Sequence, residues 1–280
     1  MNYSDVLLTV DFDRTFSARD SSVPQRNLEA VRYFMEQGGT FTINTGRSAV
    51  NFAKHLEDTP VNAPFLLYNG SAAYENGKLS QCVEIDVDMW EMIDLLHQKF
   101  PELDLEIHGC DYHYLIEPTE KVLALYENLG WRWKEAKSGD NCGPFIKLAI
   151  FGQTELPLFS ELYKATEEEL KMFAEAIALI ESRYGDKVEI FRAAPRILNV
   201  HAKGVSKLKA ARTLQEKLGK KLLICVGDAQ NDIPMLEGAD YAFCPADASI
   251  ADKYPNVCCC DDGAIADVIL KEMPKIFQSL

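Results

Sequence analysis

Basic charge is what this sequence has least of for its length. Its 280 residues include 29 Lys and Arg against 43 Asp and Glu, a formal net charge of −14. A protein that tracks phosphate backbones needs a basic face to release counterions, so no nucleic-acid partner is expected. An anionic membrane surface is disfavoured for the same reason. Long apolar runs are missing too: every stretch falls well short of the ~20 residues that a membrane span requires. The opening segment, MNYSDVLLTVDFD, has no basic region ahead of its apolar residues. It does not read as a secretion signal, and a cytoplasmic location is expected. Internal repeats, low-complexity tracts and Gly/Ser linkers are also missing.

Cysteine is present at eight positions, but in a chain this long without a secretion signal the thiols are expected to stay reduced. Cys82, Cys110, Cys142, Cys225 and Cys244 stand singly among apolar residues and read as small buried hydrophobes. Cys258, Cys259 and Cys260 lack the two-residue gap and second ligand pair of a zinc site and read as a strand end. A composition of 47% hydrophobic and 26% charged residues is that of a globular protein with a sizeable core.

Residues 6 to 10, VLLTV, form an apolar, β-branched run closed by Asp11, which fits a strand buried on both faces of a parallel sheet. From Pro24 onward, Leu28, Val31, Phe34 and Met35 share a helical face that ends at Gly38 and Gly39. TFTIN is a second strand, residues 48 to 56 a helix, and PFLLY a third strand. This order predicts an α/β fold with a doubly wound parallel sheet. After about residue 80 the pattern changes. Helices are expected at 88–99, 119–129 and 160–184, a hairpin at 104–108 and 112–116, and strands at 145–151, KVEIF and RILNV. Helices alternating with antiparallel pairs imply a separate α+β domain. The first pattern then resumes with helix GVSKLKAARTLQEKLG, strand KLLICVGD, helix DIPMLEGA, short strands YAFCP and NVCCC, and a last helix at 263–279. Residues 83–195 are therefore read as an insertion into a core made of 1–82 and 196–280.

In open α/β sheets ligands bind beyond the carboxyl ends of the strands. Asp11 and Asp13 follow the first strand, Thr45 to Arg47 the second, and Asp228 to Asp232 follow KLLICVG. Carboxylates gathered at neighbouring strand ends repel one another unless a cation sits between them. A hard divalent ion with oxygen ligands answers that need, and Mg²⁺ keeps positions open for water and a substrate phosphate.

At this point the residues match a family. DFDRT, with Asp11, Asp13 and Thr15, resembles the DxDxT first motif of the haloacid dehalogenase superfamily of phosphohydrolases. NTGR, centred on Thr45 and Gly46, is similar to the second motif, Lys203 in HAKGVSK to the third, and GDAQNDIPML, with Asp228, Asn231 and Asp232, to the fourth. The insertion between the second and third motifs resembles the C2 type B cap of Cof-like sugar phosphatases. The resemblance covers nearly the whole chain. It departs at Arg14, where glycine is usual, and at Phe16, where leucine is common.

The resemblance implies Asp11 as nucleophile, forming an aspartyl phosphate, and Asp13 as the acid that protonates the leaving oxygen and then activates water. It implies Thr45, Gly46, Lys203 and Asn231 as phosphate-binding residues. Asp11, Asp13 (through its carbonyl), Asp228 and Asp232 would hold Mg²⁺, with Asp232 able to act by orienting other ligands. Specificity would come from the cap, with Arg14, Arg47, His113 and Arg196 as candidate contacts, and His108 and Arg192 beside them. His108 and His113 show no third ligand, so no zinc site is expected there. The expected activity is Mg²⁺-dependent hydrolysis of a small phosphorylated metabolite, a sugar phosphate, by a monomer or homodimer. The rivals are a phosphomannomutase-like phosphotransferase and a non-catalytic sensor of a phosphorylated metabolite.

Overall fold

Apolar runs and helix caps lay out an alternating chain, and the structure, a computed structural model, describes residues 2–152, 165–194 and 196–280 of it. The first stretch runs β1 (Val6–Val10), α1 (Gln25–Glu36), β2 (Thr40–Ile43), α2 (Ala53–Asp58), β3 (Phe65–Leu67), β4 (Ala72–Glu75) and β5 (Lys78–Cys82). The middle adds α3 (Met89–Lys99), β6 (Leu103–His108), β7 (His113–Ile116), α4 (Glu120–Leu129), β8 (Trp133–Ala136), β9 (Lys147–Gly152), α5 (Glu167–Tyr184), β10 (Val188–Ala194) and β11 (Ile197–Ala202). The last stretch contains α6 (Lys207–Lys217), β12 (Leu222–Val226), α7 (Ile233–Glu237), β13 (Tyr241–Phe243), α8 (Ala264–Asp267) and α9 (Met273–Ser279). Residues 160–164 of the long helix expected at 160–184 fall outside the described residues, and α5 begins at Glu167, behind a capping box made by Thr166 and Glu169.

These elements form two compact units. One comprises Met1–Arg47, Phe52–Gln81 and Ser206–Leu280; the other Ser48–Asn51 and Cys82–Val205. The return to the first unit thus follows Val205 rather than residue 195. The physical reason is pairing: β11 is hydrogen-bonded to both β9 and β10, so it stays with their sheet.

In the first unit β13-β12-β1-β2 is a parallel sheet, and a bridge from Asn44 to Leu66 sets β3 beside β2. Every residue of β1 is fully buried, as a strand covered on both faces must be. Leu7, Leu223 and Cys225 pack with Ala211 and Leu214 of α6 and Met235 and Leu236 of α7. The pleat sends the alternate residues to the opposite face, where α1 packs on β2 and on α8. The sheet is doubly wound, as expected. Two details differ. The helix expected at 48–56 begins at Ala53, because Ser48–Asn51 form a turn in which Ser48 Oγ accepts from Asn51 N at 3.1 Å. NVCCC forms only a bridge from Asn256 to Cys244 before a tight turn at Cys260–Asp262.

The second unit is a six-stranded sheet, β10-β11-β9-β6-β7-β8, antiparallel except for the β7–β8 pair. Met89, Ile93 and Leu96 of α3 and Phe173, Ala176 and Ile180 of α5 cover one face, meeting Leu105, Ile107, Leu148, Ile150, Leu198 and Val200. Alternation turns Glu106, His108, Lys147, Asn199 and His201 to the other face, and all five are buried. α4 closes over part of that face as Val122 and Tyr126 pack on Leu115 of β7. Of the cysteines expected to be buried, Cys82, the last residue of the outer strand β5, is exposed, and Cys110, in the turn between β6 and β7, is partly exposed.

Candidate active site

The end of β1 carries the chain into a wide turn. Phe16 N donates to the Asp11 carbonyl at 3.3 Å and Ser17 N to that of Phe12 at 2.8 Å. Arg14 sits in this turn at φ +56°, in the left-handed region that favours glycine, which explains why a glycine was expected at its position. The turn fixes Asp11 at the sheet edge, 6% exposed, while Asp13 remains partly exposed.

Lys207 is the amine that meets Asp11. Its Nζ donates at 2.7 Å to Asp11 Oδ1 and at 2.7 Å to Asp232 Oδ1, and the residue is 3% exposed. Lys203 instead projects from the end of β11 in the second unit, half exposed, 3.4 Å from Glu189. The structure therefore brings Lys207 to Asp11, not Lys203, the lysine expected to bind phosphate. The cause lies in the local fold. Ser206 caps α6, its Oγ accepting from Lys209 N at 3.1 Å, so Lys207 is the first helical residue. The capping serine, followed by a lysine, was the signal in the sequence that could have identified it. Asn44, at the end of β2, reinforces the position by donating through Nδ2 to the Lys207 carbonyl at 2.9 Å.

Asp232 is fully buried and holds more than the lysine: its Oδ2 accepts from the backbone N–H groups of Asp228 and Ala229, both at 3.1 Å. It locks the loop after β12, and Gly227 has no Cβ where the Asp232 side chain packs. Asp228 receives Thr15 Oγ1 on Oδ1 at 3.3 Å, and Ser249 donates to its carbonyl through both N and Oγ at 3.0 Å. Asn231 lies in the short turn between β12 and α7, partly buried.

Thr45 and Gly46 follow β2. The Asn69 amide side chain occupies the space above Gly46, with Oδ1 2.9 Å from where a Cβ would stand, and Asn69 N donates to the Thr45 carbonyl at 3.0 Å. Asn69 and Asn44 were not singled out from the sequence, since single asparagines carry no motif. Arg47 grips Asp13 with two parallel bonds, Nε to Oδ2 at 2.9 Å and Nη2 to Oδ1 at 2.5 Å. Its guanidinium also lies over the Phe12 ring, 5.3 Å from the centroid. Expected as a specificity residue, Arg47 is here engaged in orienting Asp13.

Oxygen atoms of Asp11, Asp228 and Asp232 lie within 4.8 Å of one another and form a group able to hold a metal ion. The Asp13 carboxylate is committed to Arg47 instead. Burial pushes Asp11 up to about 7, against the pull of Lys207 and with the repulsion of Asp232 and Asp13. Burial, then Asp11 and Asp232, push Asp228 up to about 8, while Lys207 and Arg14 pull it down. Burial alone would lower the Lys207 amine, but the two carboxylates raise it. Three buried carboxylates against one ammonium leave surplus negative charge, so the donor set fits a hard divalent cation.

The remaining candidates lie in the second unit and are occupied by its own contacts. His113 is fully buried: its Nε2 is 2.6 Å from Ser48 Oγ and its Nδ1 2.8 Å from the Tyr126 hydroxyl, which donates to Glu106 Oε2 at 2.6 Å. It is a packed structural residue rather than an open contact for substrate. His108 Nε2 lies 3.0 Å from Glu106 Oε2, and the two histidine rings stack at 3.6 Å and 7°. Glu106 is thus a third group beside the two histidines, but parallel imidazoles direct their in-plane lone pairs along separate planes and do not converge on one ion. Arg196 pairs with Glu169 at 2.6 Å, and Arg192 lies over the Phe173 ring.

Comparison with known proteins agrees with this geometry. The family model for haloacid dehalogenase-like hydrolases matches residues 8–251. A protein of Streptococcus pyogenes serotype M6, provisionally named phosphatase M6_Spy0533, is 27% identical over 240 residues, 82% of this chain and 83% of that one. Among solved structures, SMU.1108c of Streptococcus mutans UA159 superposes with a TM-score of 0.77 at 18% identity, covering 96% of this chain and 98% of its own. BT4131, described as a subclass IIB sugar phosphatase of the superfamily, superposes at 0.73 with 21% identity, covering 98% and 99%. With four motif segments at the strand ends and a matching family model across most of its length, this chain belongs to the haloacid dehalogenase-like hydrolases.

Proposed function

We propose that the protein is a Mg²⁺-dependent phosphatase that hydrolyses a small phosphorylated metabolite, a sugar phosphate, through an aspartyl phosphate on Asp11. The observation that supports this most directly is the Asp11 carboxylate held at the end of β1 by Lys207, with Asp228 and Asp232 beside it. Lys207 fixes one Asp11 oxygen and leaves the other to attack phosphorus. The same ammonium, with Thr45 and the backbone around Gly46, would neutralise the charge spreading over the phosphoryl oxygens. Asp13, which the Arg47 fork holds as a carboxylate, would leave that fork and take up a proton to give to the leaving oxygen, and would later take one from the attacking water. Asp11, Asp228 and the Asp13 carbonyl, with Asp232 supporting, would hold Mg²⁺, which would supply charge neutralisation at the phosphate.

The test is phosphate release from sugar phosphates, nucleotides and an aryl phosphate, each with Mg²⁺ and with a chelator. Release that needs Mg²⁺ and ranks sugar phosphates first is expected. In Asp11→Asn, release should fall to background while the circular dichroism spectrum is unchanged. Turnover retained in that variant would sink the covalent mechanism, and exchange of phosphate between sugars without net release would favour a mutase.

A further inference from the structure

The partners of His113 fix how its two nitrogens are used. The Tyr126 hydroxyl spends its proton on Glu106 Oε2 at 2.6 Å, so its oxygen accepts from His113 Nδ1 at 2.8 Å. Burial holds the imidazole well below its ordinary range and so neutral, which leaves Nε2 without a proton. Nε2 therefore accepts from the Ser48 hydroxyl at 2.6 Å, ahead of Asn51 Oδ1 at 3.0 Å. Ser48 is fully buried, and its oxygen also accepts from Asn51 N at 3.1 Å. Ser48–Asn51 packs with the second unit, whereas Arg47, the residue before it, belongs to the first. The Arg47 main chain is held by Thr45 Oγ1, which accepts from its N at 3.2 Å, and by Tyr68 N, which donates to its carbonyl at 3.0 Å. The planar peptide from Arg47 to Ser48 is thus fixed at its oxygen by Tyr68 and at its far end by the bond to His113. That sets the direction in which the Arg47 side chain leaves the backbone to reach Asp13.

We propose that Ser48 and His113 are positioning residues for Asp13, acting through Arg47 in the second half of the reaction, the hydrolysis of the aspartyl phosphate. The inference rests on the phosphatase reading. In that half Asp13 must be a carboxylate, which is the form the Arg47 fork holds. The fork takes one lone pair on each Asp13 oxygen and leaves the others open to a water. The water oxygen bonds to phosphorus as the bond from phosphorus to the Asp11 oxygen breaks, and the water's proton passes to Asp13. The first half needs Asp13 protonated and out of the fork, so it does not draw on this anchorage.

The experiment follows 4-nitrophenyl phosphate with Mg²⁺ in the wild type, Ser48→Ala, His113→Phe and the double variant. In each variant kcat should fall about tenfold, less than the roughly 10²-fold that a misplacement of about 1 Å costs. KM should fall with it, leaving kcat/KM, which reports only the steps up to transfer onto Asp11, unchanged. The burst of nitrophenolate in stopped flow should grow toward one per enzyme, and protein heavier by a phosphoryl group should accumulate in quenched samples. Either change cuts the same hydrogen bond, so the double variant should lose no more than a single one. In an Arg47→Ala background, Ser48→Ala should have no further effect. Ser48→Ala removes a single oxygen and keeps the test decisive if the larger change at His113 disturbs the fold. An unchanged kcat in Ser48→Ala, a loss of kcat/KM equal to that of kcat, or additive losses would overturn the proposal. A wild type that releases no nitrophenolate with Mg²⁺ would instead remove the phosphatase reading, and this proposal with it.

Discussion

Lys207 illustrates how much a single side chain carries when it is buried. Its ammonium is the counter-charge for Asp11 and Asp232, and removing one partner of a buried ion pair leaves uncompensated charge at a cost of about 3–5 kcal/mol. Lys207→Met should lower stability by that order in urea unfolding and bring phosphate release to background. Lys203→Ala removes an exposed pair with Glu189, worth at most about 1 kcal/mol of stability, and should leave turnover close to that of the wild type. Equal losses in the two variants would return the role to Lys203. A second buried charge makes a prediction in pH. Burial pushes the Glu106 carboxyl up from its model-compound range to about 7. The folded protein therefore holds this proton more tightly than the unfolded chain. The associated stability is fully present below about pH 4.5 and is lost as pH rises through 7. The melting temperature of the wild type should fall between pH 5 and 7 more steeply than that of Glu106→Gln, and parallel curves would contradict the assignment.

Helix starts and strand ends, more than helix interiors, position the chemistry. The N-terminus of α6 presents Lys207 because Ser206 ends the preceding extended segment and caps the helix. The turn after β3 packs against the same point. Gly70 has φ +91°, and a Cβ there would stand 2.5 Å from the Ser206 carbonyl oxygen and 2.9 Å from Ala210 Cβ. Gly70→Ala must therefore displace the start of α6 or the Asn69 turn, both of which face the site. A loss of about 1–3 kcal/mol is expected, together with reduced turnover; thermal unfolding and phosphate release measured on the same variant would check both. Strands and long helices were readable from apolar periodicity. The start of α2 and the NVCCC segment were not, because side-chain bonds at Ser48 and a single bridge at Cys244 override local preference there.

The molecule as a whole divides its chemistry by unit. Asp11, Asp13, Thr45, Lys207, Asp228 and Asp232 all belong to the first unit, although they come from sequence segments separated by the whole insertion. The three-carboxylate group raises the cost of folding without a cation, so binding of one should stabilise the native state by mass action. Millimolar Mg²⁺ is expected to raise the melting temperature by several degrees, and the rise should disappear in Asp228→Asn. A rise of the same size in that variant would place the ion elsewhere. The second unit directs one face of its sheet to α3 and α5 and buries a polar network on the other. That arrangement explains why His113 and Arg196, plausible ligand contacts by residue type, are occupied by Ser48, Tyr126 and Glu169.

The alternation of β1, α1 and β2, the interruption after residue 80 and the carboxylates at strand ends were legible without coordinates. Each depends on neighbours in the chain: hydrophobic runs set strands, glycines and caps stop helices, and Asp11 and Asp13 are two residues apart. Partners distant in sequence were not legible. Lys207 rather than Lys203 at Asp11, Arg47 on Asp13 and Asn69 over Gly46 depend on where separate elements come to rest. Local periodicity carries the geometry of one helix or strand, whereas hydrogen bonds and charge pairing across elements are chosen only when packing brings the side chains within reach.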